Sequence, residues 1–274
     1  MQQPLVSVCI PSYNNAEFIE ETILSVLEQS YSNIELIITD DASNDDTVKT
    51  INRVISGCSI PVRVEVSEEN GGIASNWNHA LSLAKGSYIK LLPADDVLHP
   101  DCIRFQVKQF EKYGNDIALV FSARSIVTRS GRALLTARFY RDQRVTNLQL
   151  IKRCILSGTN VIGEPGAVLF AKEISEKVGG FDGSKPYVID LNYWARILQH
   201  GNAIALYQPL STFRIDSNLS VRLGWRRLKE YSSMIDDMQQ QWNLSLLLAV
   251  VGKCRALVNE MLRRIVHIVF RTVG

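Results

Sequence analysis

Over its first 120 residues the chain switches repeatedly between two hydrophobic periods. Runs at 6–10, 34–39, 62–66 and 88–92 are short, mostly apolar and rich in β-branched residues, which predicts buried strands. Between them, Phe18, Ile19, Ile23, Val26 and Leu27 recur at spacings of three and four, the stripe of an amphipathic helix. Residues 45–55 read as a second helix. Ile73, Trp77, Ala80, Leu81 and Ala84 mark a third, with Gly86 expected as its C-cap. Pro100 is expected to open a helix that carries Ile103, Val107 and Phe110. Strands that alternate with helices need crossover connections, so the pattern predicts an α/β fold with a largely parallel sheet and helices on both faces.

The second half is mixed. A strand is predicted over 117–127, a turn at Ser130-Gly131, a helix over 148–156, and a loop at Gly163-Glu164-Pro165-Gly166 that leads into a strand over 167–171. A helix over 188–199 follows, then two short strands at 203–206 and 210–215. Beyond residue 221 only helical periodicity remains, which divides the chain into a 1–221 α/β body and a 222–274 helical extension.

With 274 residues, 46% hydrophobic and 21% charged, the chain can bury a core without disulfides. Its five cysteines are scattered, odd in number and form no C-x-x-C, a pattern suited to a reducing cytosol. The four histidines are dispersed as well, so no His/Cys metal cluster is expected. No signal-peptide pattern and no apolar run of about 18 residues is found, and a soluble or peripheral protein is expected. The net charge of +2 is uneven, because residues 222–274 carry nine Lys/Arg against four Asp/Glu. A mildly acidic body therefore bears a basic tail. Nothing in the charge pattern points to nucleic acid.

Chemistry concentrates where predicted strands end. Asp40-Asp41 closes the second strand and Asp95-Asp96 the fourth, and a polar loop with Tyr13 follows the first. In open parallel sheets ligands bind at this edge. Adjacent carboxylates there need hydrogen bonds or a cation, and hard divalent ions commonly join carboxylates to phosphates. The pairs therefore suggest a metal-bound nucleotide diphosphate, although such residues also serve as caps and turns. Gly71-Gly72 reads as a plain turn. The absence of G-x-G-x-x-G after the first strand, and of any P-loop motif, disfavours dehydrogenases and P-loop phosphotransferases.

Six stretches in order resemble family 2 of the inverting glycosyltransferases, with their GT-A fold. They are Val8-Cys9-Ile10-Pro11-Ser12-Tyr13-Asn14, Thr39-Asp40-Asp41-Ala42-Ser43-Asn44-Asp45-Asp46-Thr47, Asn70-Gly71-Gly72-Ile73-Ala74-Ser75-Asn76-Trp77-Asn78-His79-Ala80, Gly86-Ser87-Tyr88-Ile89-Lys90-Leu91-Leu92-Pro93-Ala94-Asp95-Asp96, Val178-Gly179-Gly180-Phe181-Asp182 and Asp190-Leu191-Asn192-Tyr193-Trp194-Ala195-Arg196. The resemblance spans residues 5–215 and implies roles position by position. Pro11 and Tyr13 would line the nucleoside pocket, Asp41 would accept from the base (uracil or thymine), and Asp95 would face the ribose. Asp96 would hold Mg²⁺ or Mn²⁺, and Asp190 would be the catalytic base on a helix shared with Trp194 and Arg196. Asp40 and Arg214 are supporting candidates. Pro93 stands where many members have an acid, and Asp216 where a histidine is frequent.

The implied partners are a UDP- or dTDP-sugar donor and a glycan or lipid-linked acceptor, in bacterial surface polysaccharide synthesis at the inner face of the cell membrane. Glu164, Asp182 and Asp216 are fallback bases should Asp190 prove structural. The competing readings are a sugar nucleotidyltransferase, disfavoured by the first loop, and a silent sugar-nucleotide-binding scaffold. In the extension, Leu247, Leu248, Val251, Cys254, Val258, Met261, Leu262, Ile265, Ile268 and Val269 form one helical stripe. Lys253, Arg263, Arg264, His267 and Arg271 fall opposite. Such a stripe either packs on protein or lies on an anionic membrane.

Overall fold

The computed structural model describes residues 3–215 and 224–273, with side chains described as far as Arg264. Asp216 lies outside the described residues, as do the side chains of Ile265, His267, Ile268, Val269 and Arg271. The strands are β1 (Val6–Ser12), β2 (Ile34–Asp40), β3 (Val62–Val66), β4 (Tyr88–Leu91), β5 (Val97–Leu98), β6 (Ile117–Thr128), β7 (Ala133–Ala137), β8 (Gln143–Val145), β9 (Val168–Ala171) and β10 (Asn202–Ile215). The helices are α1 (Ile19–Leu27), α2 (Thr47–Ile55), α3 (Ile73–Ser82), α4 (Cys102–Tyr113), α5 (Asn147–Ser157), α6 (Lys172–Val178), α7 (Ile189–Ile197), α8 (Gly224–Gln241) and α9 (Leu246–Val273).

The strands form one sheet in the order β3-β2-β1-β4-β9-β6-β10-β5, with β7 paired to β6 and β8 to β10. Strands β3, β2, β1 and β4 run parallel, as do β6 and β10, while β9 is antiparallel to both of its neighbours. Alternation along the strands splits the core into two layers. Val8, Ile10, Leu36 and Ile38 face α1 and α4, whereas Cys9 and Ile37 face α3. Because β1 pairs with β2 on one side and β4 on the other, the connection order reverses at β1. That is where such sheets open a crevice at their carboxyl ends.

Several expectations change. The two short strands after 202 are one long strand, β10, whose pairing slips around Pro209. Proline has no N–H for the ladder, yet the extended chain simply continues past it. Helix α3 ends at Ser82, so Gly86 is not its cap. A Cβ on Gly86 would lie 2.6 Å from the Ser7 nitrogen and 2.7 Å from the Leu5 carbonyl, so this glycine serves a close backbone approach to β1. The predicted turn joins β6 to β7, whereas β5 and α6 are too short to have left a periodic signal.

Helices α8 and α9 pack on α5. The Tyr231 hydroxyl donates to the Cys154 carbonyl (2.8 Å), and Asn259 Nδ2 donates to the carbonyls of Ser157 (2.8 Å) and Gly158 (3.1 Å). The side of α9 turned inward is made of small residues, Ala249, Gly252 and Ala256, together with the buried Glu260. Lys253 pairs with Asp236 at 2.6 Å, and Arg227, Arg263 and Arg264 surround Glu260. The described basic residues Lys253, Arg263 and Arg264 are therefore tied to protein acids, and of the larger apolar residues of the stripe Leu248 packs on the core while Leu247, Val251, Val258, Met261 and Leu262 are exposed. Among the described residues no helix is long and apolar enough to cross a membrane.

The close seat of α9 is testable. A Cβ at position 252 would lie 2.5 Å from Ile155 Cγ2 and 2.9 Å from its carbonyl oxygen. Gly252→Val should therefore overpack the contact at a cost of about 1–3 kcal/mol. A lower melting temperature with early proteolysis inside α9 is the expected result; an unchanged melt would mean that α9 is not seated there.

Candidate active site

The first wall of the crevice is built from the loops after β1 and β2. Asn14 Oδ1 accepts from the Asn44 amide (2.9 Å), the Asn14 amide donates to Ser43 Oγ (2.8 Å), and the Asn15 amide donates to Thr47 Oγ1 (2.8 Å). Asp45 joins the seam by accepting the amides of Ala16 (3.1 Å) and Thr47 (3.0 Å). Tyr13 stands at the rim, 44% exposed, while Pro11 is buried in β1 opposite Thr39.

The two carboxylates that end β2 have different surroundings. Asp40 is buried and accepts Ser12 Oγ (2.9 Å), Ser43 Oγ (2.6 Å) and the Ser43 amide (2.8 Å), which makes it the brace of the turn. Asp41 accepts the amides of Gly71 and Gly72, each at 2.9 Å, one on each oxygen. The glycine pair thus has a definite task, with Gly72 at φ 83°, a region that favours glycine. Each Asp41 oxygen retains a lone pair for a ligand donor.

At the end of β4, Asp96 is 1% exposed. Its Oδ1 accepts the main-chain amide of Arg214 (3.0 Å), and its Oδ2 accepts no hydrogen bond among the described residues. Burial, the neighbouring Asp95 and Glu164 together push its carboxyl well above the usual range. Burial also raises Asp95, against the pull of Arg214 and Arg129. The Arg214 guanidinium is committed to the carbonyls of Asp95 and Arg129, each at 3.1 Å, and to Glu21 at 2.8 Å. It also lies 4.6 Å over the Phe18 ring. What Arg214 gives the site is its amide.

Across from Asp96, the segment from Asn160 to Ala167 carries Glu164. Asn160 Oδ1 accepts the amides of Ile162 and Gly163, both at 3.0 Å, and its Nδ2 donates to the Gly163 carbonyl (3.0 Å) and to Asp190 Oδ2 (2.8 Å). Trp194 Nε1 donates to the same Gly163 carbonyl (3.0 Å). Lys90, fully buried in β4, donates to the Gly166 carbonyl (3.1 Å), and Gln106 Nε2 donates to the Ala167 carbonyl (2.9 Å). A Cβ on Gly166 would lie 3.3 Å from Leu92 Cδ1 and 3.5 Å from Asp96 Oδ2, which places this segment against that carboxylate.

Asp190 sits in the first turn of α7, two residues past the N-cap position held by Val188. It is partly buried and accepts the Leu191 amide (2.7 Å) besides Asn160. Desolvation, then the nearby Glu164 charge, push its carboxyl up to about 7. Glu164 itself pairs with the buried Arg124 of β6. Glu164 therefore bears electrostatically on both Asp96 and Asp190. Arg196 is spent on the carbonyls of Val178 (2.8 Å) and Gly180 (2.6 Å), and Asp182 on Ser184 (2.9 Å), so both serve turns.

Sequence reasoning passed over Asn160, Arg124, Lys90 and Gln106. A lysine inside an apolar strand and an arginine in the long apolar β6 were the available signals, since neither charge is buried without a partner.

A sheet of this order, with its switch point at β1 and acids at its strand ends, is the GT-A fold of glycosyltransferases. The family model "Glycosyl transferase family 2" matches residues 7–178, and the chain belongs to that family. An uncharacterized Mycobacterium tuberculosis protein is 31% identical over 221 residues, spanning 77% of this chain and 67% of its own length. Chondroitin synthase of Pasteurella multocida is 41% identical over 128 residues, which are 47% of this chain and only 13% of that enzyme. Among solved structures, the mannosyltransferase PcManGT from Pyrobaculum calidifontis, in complex with GDP-Man and Mn²⁺, superposes with a TM-score of 0.66 at 18% identity. The match covers 94% of this chain and 75% of that one. S. aureus TarS in complex with UDP-GlcNAc gives 0.66 at 17% identity, covering 84% and 66%.

The raised Asp190 carboxyl has a consequence for stability. Its folded pKa lies above the unfolded value of 3.8, so the folded state holds the proton more tightly. That contribution is complete below about pH 4 and is lost as pH rises through about 7. Urea titrations should show the wild type losing stability relative to Asp190→Asn across that window. A constant difference between the two would mean that Asp190 ionises normally.

Proposed function

We propose that the chain moves a sugar from a UDP- or dTDP-sugar to a hydroxyl of a glycan or lipid-linked acceptor, with inversion, in bacterial surface polysaccharide synthesis. The observation that carries this reading is a pair of acids beside one segment: Asp96, buried with its Oδ2 accepting no hydrogen bond among the described residues, and Asp190, held by Asn160 at the start of that segment. Family membership makes the class of reaction firm, and the residues suggest how it runs.

In this reading the nucleoside lies in the crevice at β1, with Tyr13 against the base, Pro11 beneath it, Asp41 accepting a base N–H and Asp95 facing the ribose. Asp40 supports the turn. Among the described residues no three acidic, His or Cys side chains converge to hold an ion alone. A hard divalent ion commonly takes one or two protein carboxylates and completes its shell with substrate phosphates and water. The free Oδ2 of Asp96 fits that donor set, as does the excess of buried negative charge around it. Bound Mg²⁺ or Mn²⁺ would offset the charge gathering on the departing diphosphate.

Asp190 takes the proton of the acceptor hydroxyl as that oxygen bonds the anomeric carbon. The bond from that carbon to the diphosphate breaks in the same displacement, and the nucleoside diphosphate leaves with the electron pair. One displacement inverts the centre. A carboxyl near pKa 7 is a stronger base than an ordinary one, and the Glu164 charge helps to keep it so. Arg124 pairs with Glu164 and Asn160 donates to Asp190, so each acid has its own partner.

Two substitutions separate the roles. Asp190→Asn should lower transfer by about 10²-fold or more while donor affinity changes far less. In the wild type, kcat should climb with pH through about 7. Asp96→Asn should erase the gain in donor affinity that Mn²⁺ brings in calorimetry. Transfer near the wild-type rate in Asp190→Asn would remove it as the base, and a product that retains the donor's anomeric configuration would exclude single displacement.

A further inference from the structure

Outside the crevice, the outward side of α9 is the most distinctive surface of the molecule. Leu246 and Leu247 are each 73% exposed, Val250 57%, and Val251, Val258 and Met261 are exposed beside them. These positions recur at three and four along the helix, so they form one continuous apolar strip. Between Leu246 and Arg264 the only acidic residue is Glu260, which is buried on the opposite side.

Along the rim of this strip runs a groove of about 760 Å³ between the end of α5, α9 and Phe139. Arg153, Arg255 and Arg263 line it together with Phe139, Leu156 and Leu262, and among the described residues no acid does. Among the described residues, Arg153 and Arg255 have no ion-pair partner, whereas Arg263 reaches Glu260 and Thr159 Oγ1, each at 3.5 Å. Such a groove suits a ligand with a compact anionic head and an apolar body. A second copy of the chain would need to offer carboxylates, yet a two-fold interface would return the same acid-free surface. An exposed strip of leucine and valine needs no shape-matched partner when the partner is a fluid bilayer.

We propose that this groove seats the phosphate of an anionic membrane lipid while the outward strip of α9 lies among its acyl chains. The groove adjoins the site: Thr159 lines it, the next residue Asn160 holds Asp190, and Phe139 lies 5.8 Å from the Arg124 guanidinium. Docking would bring the acceptor side of the crevice to the bilayer, an implication that rests on the role proposed for Asp190.

The test is sedimentation of the full chain with phosphatidylglycerol or phosphatidylcholine vesicles, with thermal melts and UDP-sugar calorimetry on the same preparations. Phosphatidylglycerol vesicles should be bound in preference. A basic residue near an anionic surface contributes about fivefold, so Arg153→Gln/Arg255→Gln should weaken binding by tenfold or more. Leu247→Asp/Val250→Asp should weaken it at least as much, with melting temperature and donor affinity retained in both variants. Equal vesicle binding by wild type and the arginine variant would overturn the proposal, as would no binding to any vesicle. So would a solution dimer that Leu247→Asp/Val250→Asp splits, or a melting response to inorganic phosphate, lost in the arginine variant, without vesicle binding. A chain that binds vesicles but no nucleotide sugar would sink the transferase reading and leave this one standing.

Discussion

The site depends on one short stretch of main chain, from Asn160 to Ala167, being held by hydrogen bonds from side chains of three other elements and of its own Asn160. Its carbonyls are met by Trp194, Lys90 and Gln106, and its amides by the Asn160 side chain. A buried lysine that spends a proton on one carbonyl is an unusual commitment, because desolvation lowers its affinity for that proton. The contact ties β4, which ends at the Asp95-Asp96 pair, to the segment that carries Glu164. With the segment pinned, Glu164 is paired with Arg124 and its charge bears on both Asp96 and Asp190.

That placement sets the electrostatics. Asp40 and Asp41 are satisfied by hydroxyls and amides, whereas Asp96 and Asp190 are desolvated and face like charge. Four carboxylates of the same type thus acquire different chemistries from their neighbours alone. Arg124 offsets Glu164, and the Arg214 main chain offsets part of Asp96. The remaining excess of negative charge is what a cation and an acceptor proton would relieve.

Helix α9 follows a different logic. Small residues allow it to lie against α5 at backbone distance, and this close seat outweighs burial of its larger apolar side chains. Glu260 draws Arg227, Arg263 and Arg264 toward the protein side, leaving an outward strip without acids. The helix is anchored by its polar and small residues, the reverse of the usual amphipathic arrangement.

How much of this was legible beforehand varies with the range of the forces. The alternation of strands and helices, the strand-end acids and the family follow from local periodicity and from ordered motifs, which the sequence alone determined. Each hydrophobic period decides which residues can share a face, so the layers were readable before any contact was known. The task of Gly71-Gly72 was not legible, because it depends on Asp41 arriving from another loop. Nor were the roles of Lys90, Arg124 and Asn160, whose partners lie 76, 40 and 30 residues away along the chain. Period also cannot say which side of α9 turns inward. Only the tertiary structure decided that, because Gly158 and Gly252 admit a closer approach than the leucines would, and steric fit between distant segments leaves no local pattern.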